Sequence, residues 1–358
     1  MNSRDPHKTT QRQSLHYYKE QRENRLRQRQ RTIIKRRILL GSVLLLCLVL
    51  IISAKIGAAH FLTANPTEAA HSLPVENGPV YIGATEVQRG YDFSATEQTV
   101  TLNDESIAST QILLINLKNN SIVAQKDAQT IISPASMTKV LTILVAAEHL
   151  QDLNDTFTIS REITDYCYQH KCSAVGFSDG ETVPVKDLFY GTILPSGADA
   201  AVALAIYTAG SHEAFIDLMN QKLDELGLSQ TAHFTNCVGL YDELHYCTAA
   251  DMAVIMKAAL ENDLCREVLS TKNYTTARTS QHPDGLNISN WFLRRIEDKE
   301  TNGSVIAAKT GFVNQSGNCA VSYFLSASGT PYIAVTVNAF SSWRCIYDHV
   351  ALYSTYGA

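Results

Sequence analysis

Residues 111–139, which read QILLINLKNNSIVAQKDAQTIISPASMTK, decide the fold. Two runs rich in apolar and β-branched residues, 111–117 and 121–128, predict strands, and the Lys-Asn-Asn between them is typical of a hairpin turn. A helix is expected over 136–150. This stretch therefore predicts a strand hairpin that leads directly into a helix.

The residues that follow change from helical to strand patterns. Apolar residues recur at every third or fourth position, as in amphipathic helices, over 185–194, 198–208, 212–226 and 249–260. Strand patterns return at 305–312, 319–325 and 332–339, and a last helix is expected over 343–356. Strands at both ends with helices between them predict an α+β domain, in which one sheet is built from both ends and carries a helical insertion.

Charge is divided unequally along the chain. Residues 1–37 contain 12 Lys and Arg against 3 acidic residues, which leaves 18 basic and 32 acidic residues in the remainder. An acidic main body argues against nucleic acid as a partner. Because residues 1–37 lie directly beside an apolar segment, we interpret them as a basic tail at a membrane rather than as an RNA-binding segment.

An apolar segment separates the basic tail from the acidic body. Residues 38–54 are 17 residues without a charge, and at about 1.5 Å per residue such a helix nearly crosses a hydrocarbon core of roughly 30 Å. We expect a transmembrane helix over 38–58 with 1–37 in the cytoplasm, because basic residues stay inside. A cleaved signal peptide is the alternative, although its apolar core is usually shorter. Residues 59–100 are then an extracytoplasmic linker, and 101–358 the folded domain.

Seven cysteines follow the apolar segment. In an exported domain Cys167–Cys172 and Cys237–Cys247 are the simplest local disulfide candidates, but seven is an odd number and the sequence leaves the pairing open. The CYQHKC segment at 167–172 also suggests zinc, but a clear fourth ligand is missing. We expect structural cysteines and no metal.

Three short motifs contain residues suited to nucleophilic chemistry. Ser136 and Lys139 form S-x-x-K at a predicted helix start, where both side chains share one face and a desolvated lysine could take the serine proton. Ser196 lies in a Ser-Gly turn between two helices, and 309–311 read Lys-Thr-Gly on a strand, where glycine permits a close approach. Each motif alone is a weak signal, and their common order strengthens all three.

In this order the motifs resemble those of the penicillin-recognising serine acyltransferases, and within them the serine D-alanyl-D-alanine carboxypeptidases of the low-molecular-mass penicillin-binding protein type. The likeness covers about residues 109–340 in four blocks: PASMTK, LPSGADAA, FTNCVGLYDELHYCTAADMA and AAKTGFVNQSGNCAVSYF. It implies a β-lactamase/transpeptidase-like α/β fold, with an antiparallel sheet flanked by helices and a helical lobe. It also implies that Ser136 is the acylated nucleophile, Lys139 its base and Ser196 a proton relay.

The same resemblance implies the substrate contacts. Lys309 and Thr310 would hold the terminal carboxylate of the substrate, and Gly311 would let its backbone lie along the strand. The backbone N–H groups of Ser136 and Phe312 would form the oxyanion hole. No metal or organic cofactor is implied.

The implied function is that of a bacterial plasma-membrane enzyme, with its catalytic domain outside, that removes D-alanine from peptidoglycan stem pentapeptides and is acylated by β-lactams. One position departs from the family pattern, because Ala198 stands where the second motif usually has Asn. A β-lactamase is the alternative enzyme, although no convincing glutamate element lies between the second and third motifs. A non-catalytic penicillin-binding homologue is a third hypothesis, which Ala198 alone supports.

Overall fold

A computed structural model of the chain describes residues 91–103, 107–150 and 152–357. Within these residues the strands are β1 (Ser94–Thr101), β2 (Gln111–Asn116), β3 (Ser121–Lys126), β4 (Thr156–Thr158), β5 (Thr182–Pro184), β6 (Asn273–Thr275), β7 (Asn287–Ser289), β8 (Gly303–Val313), β9 (Gly317–Ser326) and β10 (Pro331–Ala339). The helices are α1 (Lys139–Glu148), α2 (Arg161–His170), α3 (Val185–Ile193), α4 (Ala198–Ala209), α5 (His212–Glu225), α6 (Ala249–Glu261), α7 (Asp263–Ser270), α8 (Trp291–Ile296) and α9 (Ser342–Tyr356). A short 3-10 helix, Ala135–Thr138, precedes α1.

The main sheet joins the two ends of the domain. Its strand order is β1-β3-β2-β10-β9-β8, and every neighbouring pair except β1 with β3 is antiparallel. Strand β2 pairs with β10, with Asn116 opposite Tyr332 and Gln111 opposite Val337. The prediction of one sheet built from both ends is therefore confirmed.

Both faces of the sheet are covered by helices. On β2, Leu113 and Ile115 belong to one apolar core, whereas Ile112 and Leu114 belong to another. Successive side chains of a strand point to opposite faces, so a run of four buried apolar residues requires cover on both sides. Helix α6 on one face and helix α9 on the other both pack against β10.

Two features of strand β1 differ from the sequence prediction. It begins at Ser94, within the segment expected to be linker, so the folded part starts before residue 101. It also runs parallel to β3, so the sheet is mixed rather than purely antiparallel. Most β1 side chains are exposed because this strand forms the edge of the sheet. An exposed edge strand lacks the buried apolar alternation by which strands are recognised.

The described part of the chain contains no helix that is both long and apolar enough to span a bilayer. The transmembrane helix expected over 38–58, together with the basic tail 1–37, lies outside the described residues. Residues 59–90 of the expected linker lie outside them as well.

Candidate active site

Ser136 and Lys139 are joined directly. The Nζ atom of Lys139 lies 3.0 Å from Ser136 Oγ and donates to the Val238 carbonyl oxygen at 2.7 Å. The helix expected from Ser136 begins as one 3-10 turn, and α1 starts only at Lys139. Ala135 holds a φ of 49°, a left-handed conformation rare for alanine, at the entry to this turn. Such strain is common where a fold fixes a reactive group.

Burial sets the protonation of Lys139. Its side chain is 2% exposed, and this loss of water contact lowers the pKa of Lys139 to about 8. A buried amine loses the hydration that favours its charged form. At neutral pH a fraction of the molecules therefore carries Lys139 as an uncharged base, within hydrogen-bonding distance of the Ser136 hydroxyl.

Ser196 and Lys309 form a second hydroxyl–amine pair. Lys309 Nζ donates to Ser196 Oγ at 2.8 Å and to the Thr310 carbonyl oxygen at 2.8 Å. Burial, together with the charge of Lys139, holds the pKa of Lys309 well below its usual value. Ser196 itself has a φ of 61° in the turn before α4. The second and third sequence motifs are thus in contact although 113 positions separate them.

The edge strand β8 passes very close to the turn that carries Ser136. A Cβ atom built on Gly311 would lie 3.0 Å from both Ala135 Cβ and the Ser136 nitrogen, and 2.8 Å from Cys319 Sγ. Only glycine fits here without displacing a neighbour. The side chain of the next residue, Phe312, is 59% exposed.

One cavity of about 360 Å³ connects these groups. Its walls include Ser136, Lys139, Ser196, Thr310, Gly311 and Phe312. Most of the residues predicted from the three motifs therefore meet in one open site. The remaining one, Lys309, reaches it through its bond to Ser196.

Several further wall residues were not predicted from the sequence. They come from the end of α2 and the loop after it, from the loop before α6 and from the start of α8: Lys171, Cys172, Ser173, Val238, Gly239, Leu240 and Trp291. Three of them, Val238, Gly239 and Leu240, lie in the FTNCVGL block. The resemblance of this block to the family could have indicated that they reach the site. Nothing in the local sequence indicates that the α2 segment reaches the site.

The position that departs from the family pattern is buried. Ala198 is 1% exposed and is the first residue of α4. The next residue, Asp199, accepts the backbone N–H groups of Val175, Gly176 and Phe177 at 2.8, 3.0 and 3.3 Å. Asp199 therefore anchors the loop behind the cavity wall instead of entering the site.

His245 has a structural role. Its Nδ1 accepts the Thr235 N–H at 3.0 Å, so its Nε2 carries the proton and faces Thr138 Oγ1 at 2.8 Å. Burial lowers the pKa of His245 to about 3, which keeps the ring neutral. It links the 3-10 turn to the segment before α6.

The seven cysteines after the apolar segment are free thiols. The local pairs 167–172 and 237–247 are thus not disulfides in this structure. Burial raises the pKa values of these thiols, for example to about 12 for Cys237, so they remain protonated. Among the described residues no cluster of His, Cys, Asp or Glu could hold a metal ion.

Comparisons with known proteins identify the family. The chain is 32% identical over 250 residues to a D-alanyl-D-alanine carboxypeptidase of Streptomyces sp. K15, covering 66% of this chain and 82% of that protein. It is 29% identical over 208 residues to the carboxypeptidase DacF of Bacillus subtilis, covering 58% of this chain and 51% of that protein, about half of its length.

Solved structures of related proteins have a similar fold. The crystal structure of the Streptomyces K15 DD-transpeptidase has a TM-score of 0.63 at 27% identity, covering 69% of this chain and 97% of that one. A profile described as Peptidase S11, D-alanyl-D-alanine carboxypeptidase, matches residues 96–341. Because this match includes more than half of the chain and spans all three motifs, the protein belongs to the D-alanyl-D-alanine carboxypeptidase family of serine peptidases.

Proposed function

We propose that this chain is a serine D-alanyl-D-alanine carboxypeptidase that removes the terminal D-alanine from peptidoglycan stem pentapeptides. The observation that carries the proposal is the 3.0 Å contact between Lys139 Nζ and Ser136 Oγ in the cavity that also contains Ser196. A nucleophile paired with a desolvated base is the arrangement that acyl transfer requires.

In the first step Ser136 Oγ attacks the carbonyl carbon of the penultimate D-alanine while Lys139 takes the hydroxyl proton. The carbonyl oxygen becomes an oxyanion, which the backbone N–H groups of Ser136 and Phe312 stabilise. The C–N bond then breaks. The leaving amine of D-alanine receives, through Ser196, the proton that Lys139 took, so Lys139 is uncharged again and the serine ester remains.

In the second step water hydrolyses the ester. Lys139 takes a proton from the water, the C–O bond to Ser136 breaks and the hydroxyl is restored. During the first step Lys309 and Thr310 bind the terminal carboxylate of the substrate, which then departs with D-alanine. Gly311 leaves room for the substrate backbone along β8. β-Lactams acylate the same Ser136.

The Ala198 position alters recognition rather than chemistry. An amide at this position would offer the substrate one donor and one acceptor, and the absence of such a contact costs on the order of 1–3 kcal/mol. The nucleophile and both lysines are present. We therefore expect an active enzyme with its own substrate preference.

The experiment is incubation of the full chain with a D-Ala-D-Ala pentapeptide, analysed by mass spectrometry. The wild type should release D-alanine, and Ser136→Ala should release none. Faster turnover of a chromogenic cephalosporin than of the peptide would instead indicate a β-lactamase. Stoichiometric labelling by a fluorescent penicillin without peptide turnover would indicate a penicillin-binding protein that lacks the activity.

We also propose that the enzyme is held at the outer face of a bacterial plasma membrane. The support is sequence composition: the uncharged segment within 38–58 follows a tail, 1–37, with 12 basic residues. Residues from 59 to the start of β1 then form a spacer, and the catalytic domain extends to residue 358. This placement gives the catalytic domain access to a polymeric cell-wall substrate.

A further inference from the structure

The loop before α6 is closed by one buried side chain. Asn236 Oδ1 accepts the backbone N–H groups of Val238, Gly239 and Leu240 at 3.2, 2.7 and 3.0 Å. Its Nδ2 donates to the Leu240 carbonyl oxygen at 3.0 Å. The residue is 8% exposed. A single amide therefore fixes the backbone of residues 236–240.

This loop determines the environment of the Lys139 amine. The Val238 carbonyl oxygen accepts from Lys139 Nζ at 2.7 Å, the shorter of the two hydrogen bonds that this amine makes. An uncharged amine has two N–H bonds and one lone pair. When one N–H bond is committed to Val238, rotation about the Cε–Nζ bond is restricted and the lone pair can face Ser136 Oγ.

The loop also packs directly against the backbone that carries the nucleophile. A Cβ atom on Gly239, whose φ is 83°, would lie 1.8 Å from the Ala135 carbonyl oxygen and 2.8 Å from the Ser136 nitrogen. The two backbones are therefore in direct contact. A movement of the loop would shift the Val238 carbonyl relative to both Lys139 and Ser136.

We propose that Asn236 is a positioning residue for Lys139, acting through the Val238 carbonyl oxygen. Asn236 does not touch the substrate in this scheme. Its contribution is to hold the acceptor that directs the lone pair of Lys139 toward Ser136. The inference rests on the proposed acylation of Ser136.

Other ionisable groups surround Lys139, and a test by pH must leave them unchanged. They are Cys167, Cys172, Cys237, Asp199, Lys309 and His245. Variants at Asn236 replace none of them. Asn236→Ala also adds no ionisable group, so a change in its pH profile reports on the loop, whereas Asn236→Asp adds a charge of its own.

The test measures the acylation rate with a fluorescent penicillin from pH 6 to pH 10 for the full chain. Asn236→Ala removes the acceptor of three N–H groups, and the plateau rate should fall at least about 10-fold. Water admitted by the released loop should also move the midpoint to higher pH, because burial is the main cause of the low pKa of Lys139.

Asn236→Asp is the conservative rescue. Its carboxylate can still accept all three N–H groups, although it no longer donates to the Leu240 carbonyl oxygen. The plateau rate should therefore stay within about 3-fold of wild type. The added negative charge favours protonated Lys139, so the midpoint should rise. We therefore expect the alanine variant to be acylated slowly at every pH. The aspartate variant should approach the wild-type acylation rate once the pH is high.

Asn220→Ala is the matched control. Asn220 likewise bonds backbone groups, donating to the Phe234 carbonyl oxygen at 2.7 Å and accepting the Phe234 N–H at 3.0 Å. Within the described part of the chain, Asn220 makes no hydrogen bond to Val238, Lys139 or Ser136. Urea denaturation should show destabilisation of both alanine variants, whereas only Asn236→Ala should change the acylation profile.

Two outcomes separate the inference from the proposed function. If wild-type Ser136 is not acylated, the proposed function fails. If the wild type is acylated but Asn236→Ala keeps its plateau rate and midpoint while losing stability like Asn220→Ala, Asn236 only supports the fold. The positioning role is then refuted while the proposed function stands.

Discussion

The acylation rate should follow the titration of Lys139. With a pKa of about 8, the uncharged fraction is about 1% at pH 6, about 9% at pH 7 and about 50% at pH 8. The rate should therefore rise about 10-fold from pH 6 to 7, about 5-fold from 7 to 8, and level off above pH 9. Stopped-flow measurement with a fluorescent penicillin gives this profile directly.

The same titration should appear in the stability of the fold. The pKa of Lys139 is lowered from 10.5 to about 8 on folding, which corresponds to about 3 kcal/mol at 1.36 kcal/mol per pKa unit. Because the unfolded chain binds the proton more tightly, this cost is fully present below pH 8 and disappears as the pH rises toward 10.5.

Lys139→Met removes both effects. Acylation should be abolished, and the stability of the wild type relative to this variant should increase by about 2–3 kcal/mol between pH 7 and pH 10. Urea denaturation at each pH measures the difference, with Lys118→Met, at an exposed turn, as the control that shows no such trend. A flat acylation profile between pH 6 and pH 9 would refute the assignment of Lys139 as the base.

Three further predictions concern residues around the site and the N-terminal segment. Gly311→Ala places a Cβ atom 3.0 Å from the Ser136 nitrogen. It should slow penicillin acylation more than about 10-fold and lower the free energy of unfolding, measured by urea denaturation, by about 1–3 kcal/mol. Wild-type acylation kinetics in this variant would contradict the close approach. Asp199→Ala removes the acceptor of three backbone N–H groups, which are then left without a partner. This variant should lower the free energy of unfolding by about 1–3 kcal/mol. An unchanged urea midpoint would argue against the anchoring role of Asp199. Removal of residues 1–58 should move penicillin labelling from the membrane fraction to the soluble fraction without changing the acylation rate, and labelling that stays with the membrane would disprove the anchor.

The sequence predicted the site better than it predicted the supports around it. The spacing of Ser136 and Lys139 suggested a nucleophile with its base, and the order of the three motifs resembled a known family, which implied the remaining roles. The role of the Val238 carbonyl was not predictable, because a backbone oxygen has no side-chain signature. The anchoring of a loop more than 20 positions away by Asp199 was not predictable either, because it depends on a contact between distant segments.

By itself, the sequence determined five strands of the main sheet, six of the helices and the three motifs, because helical and strand periodicity and short spacings are local properties. It did not indicate the edge strand β1, the short strands β4 to β7 or the short helices α2, α7 and α8. Only the tertiary structure determined that Lys309 meets Ser196 and that Val238 holds Lys139, since such contacts depend on how the sheet and the helical lobe pack. It also determined the proton affinity of Lys139. That affinity follows from the water that the packed chain excludes, which is a property of the whole fold rather than of any segment.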